Sequence, residues 1–325
     1  MRDTILRLLK THEEISGQAI SDRLQISRSA VAKHIAALRS YGYVIEATPG
    51  KGYRLLSSGD TVHPAEIRAL LPAGQPWQIR YEPEVLSTNV TLRQMAEQGA
   101  ADHTVLLADR QTAGQGRLSR VWYCQPQTAV ILSLLLRPPI DPYLAGTITL
   151  LTAVAVCDAL RSLGVEAYIK WPNDVLSAGG KKLCGIKCEM RCSMDICHWL
   201  IAGFGINVRN RQFPQPLQDI AGSLYTETGR DFPRANLAAA CLDRLEAHYQ
   251  TLLHQGFEPL RRLWLQYAVS IGKPVTAALP DGRRLRGLAL DIDANGSLLL
   301  QTEQGVQTIH CGDIFPEAAA DHSRR

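Results

Sequence analysis

The spacing of apolar residues changes twice along this sequence, and these changes constrain the fold more than any other feature. Helical spacing fills the N-terminal region, strands alternating with long helices begin near Ile79, and short strands separated by turns fill the C-terminal region. At 325 residues the chain is also too long for one ordinary core. We therefore expect an α+β protein with an N-terminal domain (residues 1–60), a linker (61–78), a central α/β domain (79–268) and a C-terminal domain (269–318).

Three short helices followed by two strands are predicted for the N-terminal domain. The third helix begins at Ser27, a favourable N-cap, and places apolar residues on one face. The strands, residues 44–47 and 53–56, are joined by a Pro-Gly turn that raises Lys51 at its tip. This order is typical of a winged helix-turn-helix, in which the third helix enters the DNA major groove and the wing contacts the backbone or minor groove.

Charge indicates a nucleic-acid partner for this domain. Residues 1–56 carry nine Lys/Arg and five Asp/Glu, and therefore all of the formal net charge of +4. A protein-docking module with a solvated basic face is the alternative, but the basic residues lie on the face of the third helix that would meet DNA. The predicted DNA contacts are Ser27, Arg28, Ser29, Lys33, His34 and Lys51.

The sequence predicts a cytoplasmic location. The N-terminus lacks a signal-peptide pattern, and the most apolar segment, residues 144–163, contains Asp158 and Arg161 and is expected to be a buried helix rather than a membrane span. Four of the eight cysteines cluster within residues 184–197 without a Cys-x-x-Cys pair. We predict that these are buried thiols in a reducing compartment rather than ligands of a zinc ion.

A loop in the central domain, residues 110–122, is suited to an anionic ligand. Gly114 and Gly116 allow a ligand to approach the backbone closely, while Arg117 and Arg120 supply permanent positive charge with a geometry that fits phosphate. An ordinary surface loop is the alternative. The sequence contains neither a P-loop nor a dinucleotide-binding glycine motif.

Five motifs resemble those of biotin–protein ligases and occur in that family's order. They are Ser87-Thr88-Asn89, the loop from Gln111 to Trp122, Lys170-Trp171-Pro172-Asn173-Asp174, Lys182-Leu183-Cys184-Gly185-Ile186-Lys187-Cys188-Glu189 and Gly203-Phe204-Gly205-Ile206-Asn207. Together with the winged helix, they make the chain similar to bifunctional ligase–repressors. This sequence departs from the family at two positions, because Gln115 replaces an arginine and Ser119 replaces a glycine.

The resemblance also implies a small SH3-like β-barrel at the C-terminus. The turn signals Asp281-Gly282, Asn295-Gly296 and Gln304-Gly305 separate short alternating strands there. Residues after Pro316 are expected to be a frayed tail.

The family's reaction implies the roles of the site residues. The biotin carboxylate attacks the α-phosphate of ATP to give biotinyl-adenylate and pyrophosphate, and a lysine of a biotin carboxyl carrier protein then attacks the mixed anhydride. The implied catalytic residues are Lys182, Arg117 and Arg120. The implied biotin contacts are Ser87, Thr88, Asn89, Gln111, Gly114, Gln115, Gly116, Arg117, Trp122, Lys182 and Gly185. The implied ATP or adenylate contacts are Arg117, Arg120, Lys170, Asn173, Asp174 and Asn207, with Mg²⁺ at Asp174.

The roles of Lys170 and Trp171, and the residue that covers the adenine, have alternatives. Lys170 and Trp171 are either direct contacts or structural residues at a strand end, and Trp171 as a contact would pack on the apolar chain of biotin. Residues 209–220 correspond to a loop that orders over the adenine, with Phe213 or Leu217 covering the base.

The resemblance implies a second function, repression of biotin biosynthesis genes at an operator, with the adenylate as co-repressor of a homodimer. Two other functions compete with this interpretation: a non-catalytic biotin-sensing repressor and a lipoate-type ligase. The presence of Lys182 and Arg117 disfavours the first alternative. The Gln111-Thr112-Ala113-Gly114 segment and the winged helix disfavour the second.

Overall fold

The N-terminal region forms the winged helix-turn-helix that its apolar spacing predicts. The computed structural model describes residues 1–194 and 196–316, so the predicted boundary at residue 318 and the expected tail lie outside the described residues. The elements are α1 (Arg2–Thr11), α2 (Gly17–Leu24), α3 (Arg28–Ser40), β1 (Val44–Thr48) and β2 (Gly52–Ser57). Their apolar faces meet in a separate small core that includes Ile5, Ile20, Val31, Ile35 and Leu38.

Local sequence signals begin the helices and shape the wing. The hydroxyls of Ser16 and Ser27 accept hydrogen bonds from the backbone N–H groups of Ala19 and Ala30, which caps α2 and α3. The hairpin β1–β2 is antiparallel. Its second strand starts at Gly52, which has φ of +124° and lies against the backbone of Ile15, so that a side chain would not fit there.

The segment predicted to be a linker is packed against the rest of the protein. It contains a short helix, α4 (Pro64–Leu70), in which Ile67 is buried. Its Trp77 is also buried and donates a hydrogen bond from Nε1 to the carbonyl oxygen of Leu242 at 3.1 Å. Ile67 and Trp77 therefore anchor the segment that was predicted to be a linker.

The central domain is built on one mixed sheet of seven strands. The strands are β3 (Gln78–Val85), β4 (Thr104–Gln111), β5 (Ala129–Leu136), β6 (Ala167–Lys170), β7 (Asp174–Ser177), β8 (Lys182–Ser193) and β9 (Ile196–Asn207). Their order is β3-β4-β5-β9-β8-β7-β6, and only β3 and β4 run parallel. Strand β9 therefore lies at the centre, between β5 and β8.

Helices cover the two faces of this sheet unequally. They are α5 (Thr88–Glu97), α6 (Thr147–Ser162), α7 (Leu224–Thr228), α8 (Arg234–Gln255) and α9 (Glu258–Tyr267). Helices α6, α8 and α9 bury one face in the main core. On the opposite face α5 packs over only part of the sheet, through Leu92 and Ala96 against Leu135 and Ile201. The remainder of that face is left available for a ligand.

The C-terminal domain is a five-stranded antiparallel sheet with the order β13-β12-β11-β10-β14. Its strands are β10 (Pro274–Ala278), β11 (Arg284–Ile292), β12 (Leu298–Thr302), β13 (Gly305–Ile309) and β14 (Asp313–Pro316). The three turn signals fall between successive strands, as predicted. Trp171 joins this domain to the central one, because its indole Nε1 donates to the carbonyl oxygen of Gly296 at 3.1 Å. Among the helices described, none is long and apolar enough to cross a membrane.

A buried arginine joins the end of the N-terminal region to the central domain. Arg234, at the start of α8, is fully buried. Its Nε lies 2.6 Å from Asp60 Oδ2, and its Nη1 lies 2.6 Å from Asp109 Oδ1. Asp60 also pairs with Arg209, which in turn pairs with Asp231 on the outside. Removing one partner of a buried ion pair leaves an uncompensated charge and is strongly destabilising.

We expect Asp60→Ala to lower the free energy of unfolding by about 3 kcal/mol, since Arg234 would keep only Asp109 as a counter-charge. Asp231→Ala is the matched control, because Asp231 is 61% exposed and its loss should cost less than about 1 kcal/mol. Urea denaturation of both variants measures the difference. Equal stability of the two variants would contradict this account of Arg234.

Candidate active site

The uncovered face of the central sheet carries a cavity of about 530 Å³. It lies beside the N-terminus of α5, over the part of the sheet that this helix does not cover. Ile131 on β5 and Gly203 and Gly205 on β9 form its floor. Strand β14 of the C-terminal domain adds a wall through Asp313, Ile314 and Phe315. Two domains therefore enclose one site.

The two floor glycines are required because other side chains occupy the space above them. A Cβ atom at Gly203 would fall on the Asn89 side-chain oxygen. A Cβ atom at Gly205 would lie 2.6 Å from the indole of Trp122. Real Cβ atoms do not approach other atoms this closely, so the Gly-x-Gly spacing on β9 sets the depth of the cavity.

A hydrogen-bond network positions the polar groups at the start of α5. Gln111 Oε1 accepts from the backbone N–H of Thr88 at 2.8 Å and from its hydroxyl at 3.1 Å. The hydroxyl of Ser133, which is buried on β5, lies 2.7 Å from Thr88 Oγ1 and 2.6 Å from Asn89 Oδ1. It has one proton and can donate to either oxygen, but not to both at once. Thr88 and Gln111 are thus held together at the cavity surface, whereas Asn89 is tied into the sheet.

Asn89 also connects the site to a charged group on β8. Its Nδ2 donates to Glu189 Oε1 at 3.1 Å, and Arg93 and Lys187 each form an ion pair with the same carboxylate at 3.2 Å. Burial alone would raise the pKa of Glu189, but the hydrogen bond from Asn89 and the two cations lower it below its usual range. Glu189 is therefore an ionised partner of Asn89, and it is not among the residues that line the cavity.

The glycine-arginine loop is folded as a small hairpin. The backbone N–H of Gly116 donates to the carbonyl oxygen of Arg120 at 2.8 Å, and that of Trp122 donates to the carbonyl oxygen of Gly114 at 2.9 Å. Gly114 itself does not line the cavity. A Cβ atom there would lie 2.8 Å from Gln111 Nε2, so Gly114 makes room for the Gln111 side chain.

An aspartate of the C-terminal domain holds both loop arginines. Asp313 lies 2.6 Å from Arg120 Nη2 and 3.5 Å from Arg117 Nη1. Arg117 also donates to Asn173 Oδ1 at 3.1 Å and to the carbonyl oxygen of Gly312 at 3.2 Å. The Asp313 carboxylate is therefore the anionic partner of both guanidinium groups.

Lys182 forms a second ion pair within the cavity. Its Nζ lies 2.5 Å from Asp174 Oδ1, and both side chains are mostly buried. The backbone N–H of Lys182 donates to the carbonyl oxygen of Ile220 at 2.7 Å, which fixes the end of the segment 209–220 against β8. The position of this lysine is therefore set by three parts of the chain: β7, β8 and the segment 209–220.

The segment 209–220 forms one side of the cavity. Phe213, Leu217 and Ile220 line it, and the Phe213 ring packs edge-on against Tyr123 with centroids 6.4 Å apart. Asn207, at the end of β9, donates to the carbonyl oxygen of Gly222 at 3.0 Å. Its side-chain oxygen is buried and lacks a hydrogen-bond partner among the described residues, as does the indole N–H of Trp122. Such orphaned groups are expected where a ligand completes the site.

The structure brings the predicted small-molecule site together, with Gly114 as the one exception. The predicted residues that line the cavity are Ser87, Thr88, Asn89, Gln111, Gln115, Gly116, Arg117, Arg120, Trp122, Lys170, Asn173, Asp174, Lys182, Gly185 and Asn207. Ile131, Tyr123 and the β14 wall also line the cavity but were not predicted. Lys187 and Phe204 lay inside recognised motifs without an assigned role. No local signal marks Asp313, because its partners are nearly 200 residues away in the chain.

The predicted DNA contacts lie in a different part of the protein. Those that are exposed are Ser27, Arg28, Ser29 and Lys33 on or beside α3, and Lys51 at the wing tip. His34 differs, because it is half-buried and its pKa is lowered by burial and by the nearby Arg2, which keeps it mainly neutral at pH 7.

Three family models match consecutive parts of the chain. A helix-turn-helix domain matches residues 2–54, the biotin/lipoate A/B protein ligase family matches residues 83–207, and the biotin protein ligase C-terminal domain matches residues 270–315. The matches follow the three folded parts described above.

Known proteins with similar sequences, and one solved structure, agree with these matches. The bifunctional ligase/repressor BirA of Bacillus subtilis is 41% identical over 93% of this chain and 94% of that protein. The biotin–[acetyl-CoA-carboxylase] ligase of Mycobacterium tuberculosis is 34% identical over 75% of this chain and 91% of that protein. The structure of the Aquifex aeolicus biotin protein ligase in complex with biotin and ATP has 28% identity and a TM-score of 0.65, covering 74% of this chain and 99% of that one. With 41% identity over nearly its whole length, the chain belongs to the family of bifunctional biotin ligase/repressors.

Proposed function

We propose that this protein activates biotin with ATP to biotinyl-adenylate, transfers the biotinyl group to a lysine of a biotin carboxyl carrier protein, and represses transcription by binding operator DNA. The observation that carries the ligase function is the convergence of Lys182, Arg117 and Arg120 on one cavity. Three cations beside a pocket for an apolar ligand suit the condensation of a carboxylate with a nucleoside triphosphate.

Adenylate formation requires that the two substrates are positioned and that the developing negative charge is stabilised. Attack of the biotin carboxylate on the α-phosphate forms a carbon–oxygen–phosphorus anhydride and releases pyrophosphate. Lys182 offsets the negative charge that develops at the reacting oxygens, and Arg117 and Arg120 hold the phosphates. Asp174 and Asp313 neutralise these cations before the substrates bind. The phosphates then take over part of that role.

Biotin is bound at the start of α5 in this proposal. Gln111 Oε1 accepts from Thr88, so the amide nitrogen of Gln111 is the group left to donate to the ureido ring. Ser87 and Asn89 belong to the same surface, and Gly185 and the indole of Trp122 supply apolar contact. A buried urea needs matched partners of this kind, because unpaired polar groups cost a few kcal/mol.

The nucleotide is assigned to the other end of the cavity, with Asn207 and Asn173 as polar contacts and Phe213 or Leu217 over the base. Lys170 and Trp171 line the same cavity. Trp171 is almost fully buried and bonded to the C-terminal domain, which favours its structural role. Asp174 offers one carboxylate, and this fits Mg²⁺, an ion bound largely by the phosphates of the nucleotide that would supply further charge neutralisation.

Lys182→Ala should lower the rate of adenylate formation at least a hundredfold, about 3 kcal/mol, because the two other lysines of the cavity are engaged elsewhere, Lys187 with Glu189 and Lys170 over the Phe315 ring. Pyrophosphate release with biotin and ATP measures this rate. Lys273→Ala, at an exposed lysine of the C-terminal domain, is the control and should react normally.

The same assay separates the alternatives. Lipoate in place of biotin should give no pyrophosphate. Turnover of Lys182→Ala at the wild-type rate would remove this lysine from the reaction, and a wild-type protein that binds biotin without releasing pyrophosphate would identify a non-catalytic sensor.

DNA binding is assigned to the exposed face of α3 and to the wing. Arg28→Ala combined with Lys33→Ala should weaken binding to DNA from upstream of the biotin biosynthesis genes at least tenfold, since each cation contributes to phosphate or base contacts. Carrier biotinylation should remain unchanged. Fluorescence anisotropy and a biotinylation assay measure the two activities.

The control for this experiment carries the same change in charge elsewhere. Arg262→Ala combined with Arg284→Ala alters exposed arginines of α9 and β11 and should bind DNA normally. If both double variants lose affinity equally, only net charge is involved and the assignment to α3 fails.

We further propose that the adenylate promotes a homodimer, which places two α3 helices on two half-sites in the cytoplasm. A ligand that binds the dimer more tightly than the monomer must strengthen dimerisation by the same factor. The loops that contact the adenylate, residues 111–122 and 209–220, are the candidates for this coupling. Gln115 lacks the guanidinium of the family's arginine, so the coupling should be weaker than in relatives that keep it.

Biotin plus ATP should therefore increase the dimer fraction in sedimentation experiments at micromolar concentration, and Gln115→Arg should increase it further. The control is biotin with an ATP analogue in which a methylene group replaces the oxygen between the α- and β-phosphates, because this analogue cannot release pyrophosphate and form the adenylate. An unchanged mass distribution with biotin and ATP would contradict adenylate-controlled dimerisation.

A further inference from the structure

Two cysteines face each other at the end of the β8–β9 hairpin, remote from the cavity. Cys192 on β8 is paired with Cys197 on β9, next to a bulge between Arg191 and Cys192. The same register places Cys184 opposite Ile206 and Cys188 opposite Ala202. Within the described strands, this register therefore sets only one pair of cysteines directly across from each other.

The spacing of such a pair suits a disulfide bond. Directly opposed residues of an antiparallel pair have Cα atoms about 4.5–5.5 Å apart. Disulfides bridge Cα atoms about 4.4–6.8 Å apart, so the strands need not separate or slide to form one. In the structure both cysteines are free thiols.

The two thiols differ in their access to solvent. Cys192 is half-buried, whereas Cys197 is 6% exposed. Burial and the adjacent Cys192 thiol raise the pKa of Cys197 to about 12. Cys197 therefore stays protonated and protected, and a soluble oxidant meets Cys192 first. An accessible cysteine beside a resolving cysteine is the arrangement found in reversible thiol sensors.

We propose that Cys192 and Cys197 form a reversible redox pair, in which a hydroperoxide oxidises the two thiols to a disulfide across the hairpin. This site has no part in the ligase or repressor function proposed above. It modifies the predicted role of these cysteines, which the sequence suggested to be buried thiols only.

The oxidation proceeds in two balanced steps. The Cys192 sulfur attacks one peroxide oxygen, the O–O bond breaks, and a sulfenic acid and one molecule of water or alcohol are formed. The Cys197 sulfur then attacks the sulfenic sulfur; the S–S bond forms, the S–O bond breaks, and the hydroxyl leaves with the Cys197 proton as water. The thiols lose two electrons and the peroxide gains them. A dithiol reductant reverses the change by thiol–disulfide exchange.

The position of the pair predicts its effect on the enzyme. Lys182 begins β8 and Asn207 ends β9, so both site residues lie at the opposite end of the hairpin from the cysteines. Oxidation should therefore fix the hairpin end without closing the cavity. Biotinylation by the oxidised protein should remain within about twofold of the reduced protein, since no side chain of the site changes.

The test treats the full-length reduced protein with a small excess of hydrogen peroxide, followed by alkylation, intact mass measurement and peptide mapping. The expected product is a monomer that has lost about 2 Da and two alkylatable thiols, with Cys192 linked to Cys197, and dithiothreitol restores it. Cys192→Ser and Cys197→Ala should each abolish this product. Cys311→Ser, at the exposed cysteine of the C-terminal domain, should still give it.

Several results would overturn the proposal. They include a disulfide that joins Cys188 or Cys311, a link between two molecules only, and oxidation of Cys192 to sulfinic acid with Cys197 still alkylatable. The circular dichroism spectrum of each variant shows whether it is folded. If Cys197→Ala is unfolded, peptide mapping of the wild-type protein alone decides the outcome.

Discussion

The site depends on one steric constraint, the absence of side chains at Gly203 and Gly205 on the central strand β9. Because this strand pairs with β5 on one side and β8 on the other, its outward face becomes the floor of the cavity. Asn89 and Trp122 occupy the space that Cβ atoms would take. A larger residue at either position would displace Asn89 or Trp122, although the sheet itself would accept it.

Charge compensation is the second property of the site. The side chains of Lys182 and Arg117 are only 26% and 25% exposed, and cations without a counter-charge are costly at such burial. Asp174 and Asp313 provide counter-charges from β7 and from the C-terminal domain. These carboxylates stand where phosphates are proposed to bind. The C-terminal domain contributes directly to the site for this reason.

The winged helix is not an independent appendage. Asp60, just beyond β2, neutralises the buried Arg234 and contacts Arg209 at the start of the segment 209–220. Tyr41, at the end of α3, stacks on His63 with ring centroids 5.4 Å apart. Helix α3 and the loop beside the cavity are therefore connected through Asp60 and His63, at the boundary between the N-terminal domain and the segment predicted to be a linker.

Sequence patterns alone predict the three folded parts and most of the residues that line the cavity. Apolar spacing and turn residues specify elements locally, so the two strands of the wing were predicted within one residue of their observed ends, and the motif order indicated the family. Tertiary structure decided what depends on distant partners: the packing of residues 61–78, the role of Gly114 in making room for Gln111, and the contacts of Asp313. It also placed Cys192 opposite Cys197. These features follow from strand register and domain contact, which join residues far apart in the chain and leave no local pattern to recognise.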